Sequence, residues 1–226
     1  MQNVKNTIID RLLSLVAPHL CYRCGGNLGP ICDNCKYDIN SQSYAICVAC
    51  NRPSESGICI DHHVYYQFAW VVGARNGALR QVLNDFKFHH RIAAGMTMVS
   101  LLDGCLPSLP AHTIVTTIPT LPSHIRQRGY DHAAFLAKGV ARQRDLRFQQ
   151  VLERHSVATQ HRLNRRERLK TARHAYSAHG IIAGRPYLII DDTITTGATL
   201  EAAAHALFTA GVRTIWVAAV AHQPLD

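Results

Sequence analysis

Three groups of residues have side chains whose types and spacing can do chemistry. The first is the run Asp191-Asp192-Thr193-Ile194-Thr195-Thr196-Gly197-Ala198-Thr199. Adjacent carboxylates accept hydrogen bonds but donate none, so they suit sugar hydroxyls or a water-bridged Mg²⁺ and repel a phosphate. The hydroxyls of Thr195, Thr196 and Thr199 do the opposite, and Gly197 lets the backbone come close to an anion. A ligand with a vicinal diol at one end and a terminal phosphate at the other satisfies both halves, which describes ribose 5-phosphate. The contacts so nominated are Asp191, Asp192, Thr193, Thr195, Thr196, Gly197 and Thr199. A plain strand-to-helix turn capped by Asp and Thr would use one acid and one threonine and leave the rest without a role. No Gly-x-x-x-x-Gly-Lys-Ser/Thr stretch occurs, so the phosphate-binding loop of nucleotide hydrolases is excluded.

The second group is the cysteines. Seven of the eight lie between Cys21 and Cys59. Cys21, Cys24, Cys32 and Cys35 form two Cys-x-x-Cys knuckles, whose four thiolates can close a tetrahedron around structural Zn²⁺ with no open position. Cys47 and Cys50 make a third knuckle. Cys59 and His62 repeat its two-residue gap and complete a Cys₃His set, although His63 stands beside His62 and leaves the choice of histidine open. Such clusters point to metal in a reducing compartment and not to disulfides. The third group is basic. Residues 126–173 hold 13 Lys/Arg against four Asp/Glu, equal to the formal net charge of +9 of the whole chain. Within it Arg162, Arg165, Arg166, Arg168, Lys170 and Arg173 make a dense run suited to nucleic-acid phosphates or to a lid over an anionic ligand.

These groups need elements to position them. Tyr187 to Ile190 reads as a buried strand leading into the acids, and Leu200 to Gly211 as a helix stopped by Gly211. Phe68 to Ala74 is the first long β-like run and opens the second of two expected domains, 1–67 and 68–226. Asn76 to Phe88 and Arg91 to Leu102 have helical spacing, with Lys87 at the close of the first as a cation near its own helix end or as a ligand contact. Thr113 to Ile118 is a strand broken by Pro119. The loop after it, with Arg126 and Arg128, leads to a helix from Asp131 and suits a diphosphate. Arg147 to Leu152 holds a short strand and Thr214 to Ala221 the last one. Such alternation predicts an α/β fold, a mostly parallel sheet with helices on both faces. At the N-terminus Val4, Ile8, Leu12, Leu15 and Val16 mark one face of a helix. It is too short and charged to span a bilayer and a poor signal peptide, so a cytoplasmic protein without a membrane span is expected.

The acidic-threonine stretch resembles the phosphoribosyl diphosphate (PRPP) motif of type I phosphoribosyltransferases. With the Cys₄ knuckles, Arg126-Gln127-Arg128-Gly129-Tyr130 and Gln160…Leu163…Arg168 before it, the order is similar to that of the ComF/GntX family, over about Cys21 to Val220. The resemblance implies a phosphoribosyltransferase-like fold with an N-terminal zinc module, and a role in natural competence, the uptake of transforming DNA. Residue by residue it implies that Asp191 and Asp192 meet the ribose hydroxyls and that Thr195, Thr196, Gly197 and Thr199 hold the 5-phosphate. Arg126, Arg128, Gln160, Leu163 and Arg168 match its other motif positions. The chain departs from the family at Tyr130-Asp131-His132, at Thr171 and at His62. Two readings stand. One is a binding protein for PRPP and single-stranded DNA, working with other competence or recombination proteins. The other is an enzyme that uses Mg²⁺ and transfers ribose 5-phosphate from PRPP to an acceptor.

Overall fold

The computed structural model describes residues 20–42, 44–121, 125–126, 129–155 and 175–223. The expected N-terminal helix, Arg128, Gln160, Leu163 and the run Arg162, Arg165, Arg166, Arg168, Lys170 and Arg173 lie outside the described residues.

The elements follow in the order α1 (Asp33–Ser41), β1 (Phe68–Ala74), α2 (Gly77–Phe88), α3 (Ile92–Cys105), β2 (Ile114–Thr117), α4 (His132–Gln143), β3 (Arg147–Phe148), β4 (Leu152–Arg154), β5 (Tyr176–Ala178), β6 (Tyr187–Ile194), α5 (Ala198–Thr209) and β7 (Ile215–His222). Five strands form a parallel sheet in the order β1-β7-β6-β2-β3, while β4 and β5 pair as a separate antiparallel hairpin. The single strand expected over 147–152 is therefore two short strands in different sheets.

A parallel sheet buries both faces, and β6 shows why its sequence is apolar throughout. Leu188 and Ile190 enter one core with α2, α3 and α4. Tyr187 and Ile189 enter the other with α5 and the β4–β5 hairpin. The cysteine-rich segment contributes to both. Cys21, Ile31, Cys32 and Cys35 join the first core, Val48 and Tyr66 the second.

That segment also closes an edge. Strand β1 is the last in the sheet, and an open edge would expose unpaired backbone groups. Ser56 O accepts the Ala69 N–H at 2.9 Å, and Gly57 lies so close that a Cβ there would stand 2.1 Å from Ala69 O. The far end of α5 is closed as its glycine predicts. Gly211 has φ of 100°, its N–H reaches Phe208 O, and the next N–H, of Val212, reaches Leu207 O, both at 3.0 Å.

Candidate functional site

Strand β6 runs four residues past its expected end. Asp191 pairs in register with Ala219 and Thr193 with Ala221, so the carboxylates sit inside the paired strand and not beyond it. Side chains alternate along a strand. Asp192 therefore shares the face of Leu188 and Ile190, towards α2, and Asp191 the opposite face. On the α2 side Lys87 Nζ meets Asp192 Oδ1 at 2.6 Å, with both side chains largely buried. Asp191 Oδ1 accepts the Asp192 N–H at 2.8 Å.

Burial pushes the Asp191 carboxyl up to about 7, and the charge of Asp192 adds to the rise; the Asp192 N–H and Lys87 oppose it. Part of the residue still reaches solvent. Thr193, on the same face as Asp191, has a buried Oγ1 with no partner among the described residues.

After Ile194 the loop is only Thr195, Thr196 and Gly197. Gly197 has φ of 71°, a left-handed conformation that glycine adopts without strain, and it starts α5 with no side-chain cap. Thr196 Oγ1 accepts the Ala198 N–H at 3.3 Å. Thr195, Thr196 and Thr199 are exposed at this helix N-terminus, where free N–H groups and the helix dipole favour an anion. The loop after β2 lies alongside. Thr117 pairs with Ile190, and Thr117 Oγ1 donates to Ile190 O at 2.9 Å. Arg126 is exposed beyond that strand's end.

The sequence left Lys87 open between a helix-end cation and a ligand contact, and what holds it against Asp192 is tertiary. The Phe86 carbonyl, in the last turn of α2, is one of the oxygens a helix end leaves unpaired. Tyr130 Oη donates to it at 2.9 Å, and His132 Nε2 lies 2.9 Å from it. Asp131 accepts from Thr120 Oγ1 at 2.8 Å and caps α4 by accepting the Ala134 N–H at 3.0 Å. The three residues Tyr130-Asp131-His132 thus tie the β2 loop, α4 and the end of α2 together. One residue earlier in α2, Asp85 is bonded by Tyr22, by His89 at 2.8 Å and by Arg91 at 2.9 Å. Burial alone would raise the Asp85 carboxyl, yet these donors hold it below the usual range. Tyr22 lies between Cys21 and Cys24, so the first knuckle is anchored to the helix that carries Lys87. The signal in the sequence was the polar face Arg80, Asn84 and Lys87, at helical spacing.

Both cysteine clusters are assembled. Ligand atoms of Cys21, Cys24, Cys32 and Cys35 lie within 4.8 Å of one another, and so do those of Cys47, Cys50, Cys59 and His62. Four thiolates about 2.3 Å from a Zn²⁺ would stand about 3.8 Å apart. Cys24 and Cys32 Sγ are 3.7 Å apart, Cys50 and Cys59 Sγ 3.5 Å. His62 Nδ1 is the fourth donor of the second set, 2.9 Å from Cys59 Sγ and 3.8 Å from Cys47 Sγ, which decides between the two histidines. Either set can hold a metal. Cys105 stands apart, its thiol pushed up by burial to about 12 and so unreactive. Among the described residues, no helix is long and apolar enough to cross a membrane.

Residues 129–225 match the phosphoribosyl transferase domain family. Relatives match over most of the chain. The DNA utilization protein YhgH of Escherichia coli O6:H1 is 25% identical over 221 residues, covering 90% of this chain and 96% of that protein. Competence protein ComFC of Streptococcus pneumoniae is 23% identical over 197 residues, covering 87% of this chain and 84% of that protein. Competence protein F of Haemophilus influenzae is 26% identical over 217 residues, covering 87% and 94%. The domain match includes β6, the cradle and α5, whereas Lys87 and both cysteine clusters precede it.

Proposed function

We propose, from the premise that this chain is a ComF-family phosphoribosyltransferase-like protein, that it serves natural transformation in the cytoplasm by binding PRPP and single-stranded DNA. The observation that carries the ligand reading is the cradle: two carboxylates at the end of β6, one locked by Lys87, run directly into an uncapped helix start lined by Thr195, Thr196 and Thr199. The ribose hydroxyls go to Asp191 and Asp192 and the 5-phosphate to the threonine loop. The diphosphate goes to Arg126 and Arg128 beyond β2. Asp192 Oδ1 is taken by Lys87, so Mg²⁺ enters on the diphosphate and meets the protein carboxylates through water. Zn²⁺ fills the two cysteine clusters and is structural. The DNA contacts are Arg162, Arg165, Arg166, Arg168, Lys170 and Arg173, and other competence or recombination proteins act with it.

Calorimetry with PRPP and Mg²⁺ tests the cradle. Replacing Asp191 and Asp192 together by Ala removes two charged acceptors. It should cost about 2–4 kcal/mol of binding, since each such bond contributes about 1.5–3 kcal/mol and neighbours do not add fully. Equal affinity in the wild type and the double variant would remove both carboxylates from the site.

One observation favours a second reading, transfer of ribose 5-phosphate from PRPP to an acceptor. A carboxyl held near 7 is suited to take or give a proton at neutral pH, and Asp191 is such a group within the cradle. Diphosphate release from PRPP in the presence of DNA or free bases separates the two. Release that is lost in Asp191→Asn supports transfer, and binding without release supports the first reading.

A further inference from the structure

A cavity of about 340 Å³ opens at the carboxyl ends of β1 and β7, lined by Arg75, Arg80, Asn84 and Gln223. Strand register places it beside the cradle. Ala74 pairs with His222, and His222 with Ile194. The residues that follow, Arg75, Gln223 and Thr195, therefore stand in one row along the edge of the sheet. Main-chain bonds continue that row, from Arg75 N–H to His222 O at 2.8 Å and from Gln223 N–H to Ile194 O at 2.7 Å. Two strand spacings, about 10 Å, separate the start of the cavity from the threonine loop.

Helix α2 connects the two places from above. Its buried side carries Leu79, Val82, Leu83 and Phe86. Arg80, Asn84 and Lys87, four and three residues apart, share another face. That face begins at the cavity and ends at the Lys87–Asp192 pair. One face of α2 thus leads from the cavity to the acid end of the cradle.

The lining selects the ligand. Among the described residues it offers two guanidiniums and two amides, and no carboxylate. Arg75 Nη1 donates to Gln223 Oε1, while Arg75 Nε is buried without a partner among the described residues. Forked donors around a concave site match the oxygens of a phosphate. The cavity also lies on the β7 side of β6, whereas the loop after β2, assigned to the diphosphate, lies on the other.

We infer that this cavity is a second subsite, for a phosphate ester bound alongside the phosphoribosyl ligand. The inference rests on the proposed function only for the identity of that neighbour. A phosphate ester can arrive as a free nucleotide or as the end of a DNA strand, and the probes distinguish them. Thymidine 5′-monophosphate is titrated by calorimetry, and a labelled oligothymidylate with and without a 5′-phosphate by anisotropy. The proteins compared are the wild type, Arg80→Ala/Asn84→Ala, and Arg80→Lys as a milder change on the exposed helix face. The double variant should bind the phosphate ester at least about tenfold more weakly, as expected for removing a charged donor from a phosphate. Arg80→Lys should lose less, and PRPP affinity should hold in both. Binding of the mononucleotide identifies a free ester, and binding only of the 5′-phosphorylated strand identifies a strand end. Absence of binding by every probe, or affinities unchanged in the double variant, overturns the subsite. A parallel PRPP titration of Asp191→Asn/Asp192→Asn fails independently: unchanged PRPP affinity there sinks the cradle and leaves the cavity result standing.

Discussion

Asp191 keeps its proton to near neutrality because of where β6 puts it. Burial disfavours its charge and Asp192 and Asp131 repel it, while Lys87 and a backbone N–H favour it. An ordinary carboxyl has a value of 3.8, against about 7 in the fold. Between those values the folded protein keeps a proton that the unfolded chain has released. Stability therefore falls as pH rises through that window, and the penalty is complete above about 7. Asp191→Asn preserves the shape and the acceptor for the Asp192 N–H while removing the charge. Its melting temperature should exceed that of the wild type at about pH 8, and the gap should shrink towards about pH 4.5, where both forms are neutral in the fold. The same change should weaken PRPP binding, so the charge destabilises the fold where it serves the ligand. A gap that is equal at both pH values would show that burial is not what raises this group.

At the level of elements, Gly57 is the position where the cysteine-rich segment and the sheet make closest contact. Its φ of 76° disfavours any side chain, and a Cβ would collide with Ala69 O on β1. Gly57→Ala should cost about 2–4 kcal/mol, from backbone strain together with forced displacement. Urea unfolding measures this, and a midpoint like that of the wild type would mean that the edge of β1 does not depend on this contact. Much of this arrangement was legible in the sequence. The helix α2 showed in the spacing of Leu79, Val82, Leu83 and Phe86, and the glycine stop of α5 in Gly211. The cysteine spacing marked both clusters, because a tetrahedral ion imposes a local geometry. Reading β6 only to Ile190 followed from its acids, since charges ordinarily end a buried strand. Here Asp191 to Ile194 stay paired with β7, because Lys87 neutralises one acid and the other keeps its proton up to near neutrality. Lys87 itself was ambiguous for a physical reason: a lysine in a last helical turn is favourable with no partner at all. Only the packing of α2 over β6, fixed by Tyr130 and His132 on Phe86 O, brings it to Asp192. Tyr176, an aromatic residue three positions after Arg173, is buried in the second core and so cannot stack a base. Tyr130 is committed to Phe86 in the same way.

Across the whole molecule, the two cysteine clusters stand on opposite faces of one sheet, so metal loss should be felt globally and not as a frayed terminus. Purified protein should carry two zinc ions per chain, one for each four-donor set. Cys24→Ser and Cys47→Ser should each lower the melting temperature of the complete protein, because ligand binding to the native state adds directly to its stability. Metal-free protein melting at the same temperature as the loaded form would rule out a structural role. Charge is distributed unevenly at this scale as well. The whole net charge of the chain is matched by residues 126–173, and the cations from Arg162 to Arg173 are its densest part. Phosphates neutralised by such residues release counterions, so affinity for single-stranded DNA should fall with salt at about −0.7 in log–log slope per contact. Four or five contacts give a slope of about −3, with little sequence preference, because arginines on phosphates read no base edges. A lid serving only the diphosphate predicts something different: PRPP would compete with DNA. A separate DNA patch predicts no competition. Anisotropy across salt for the wild type and for Arg165→Ala/Arg166→Ala/Arg168→Ala decides the matter. A flatter slope in the triple variant, with PRPP affinity retained, assigns the run to DNA. An unchanged slope, or no binding even at low salt, takes DNA away from these residues.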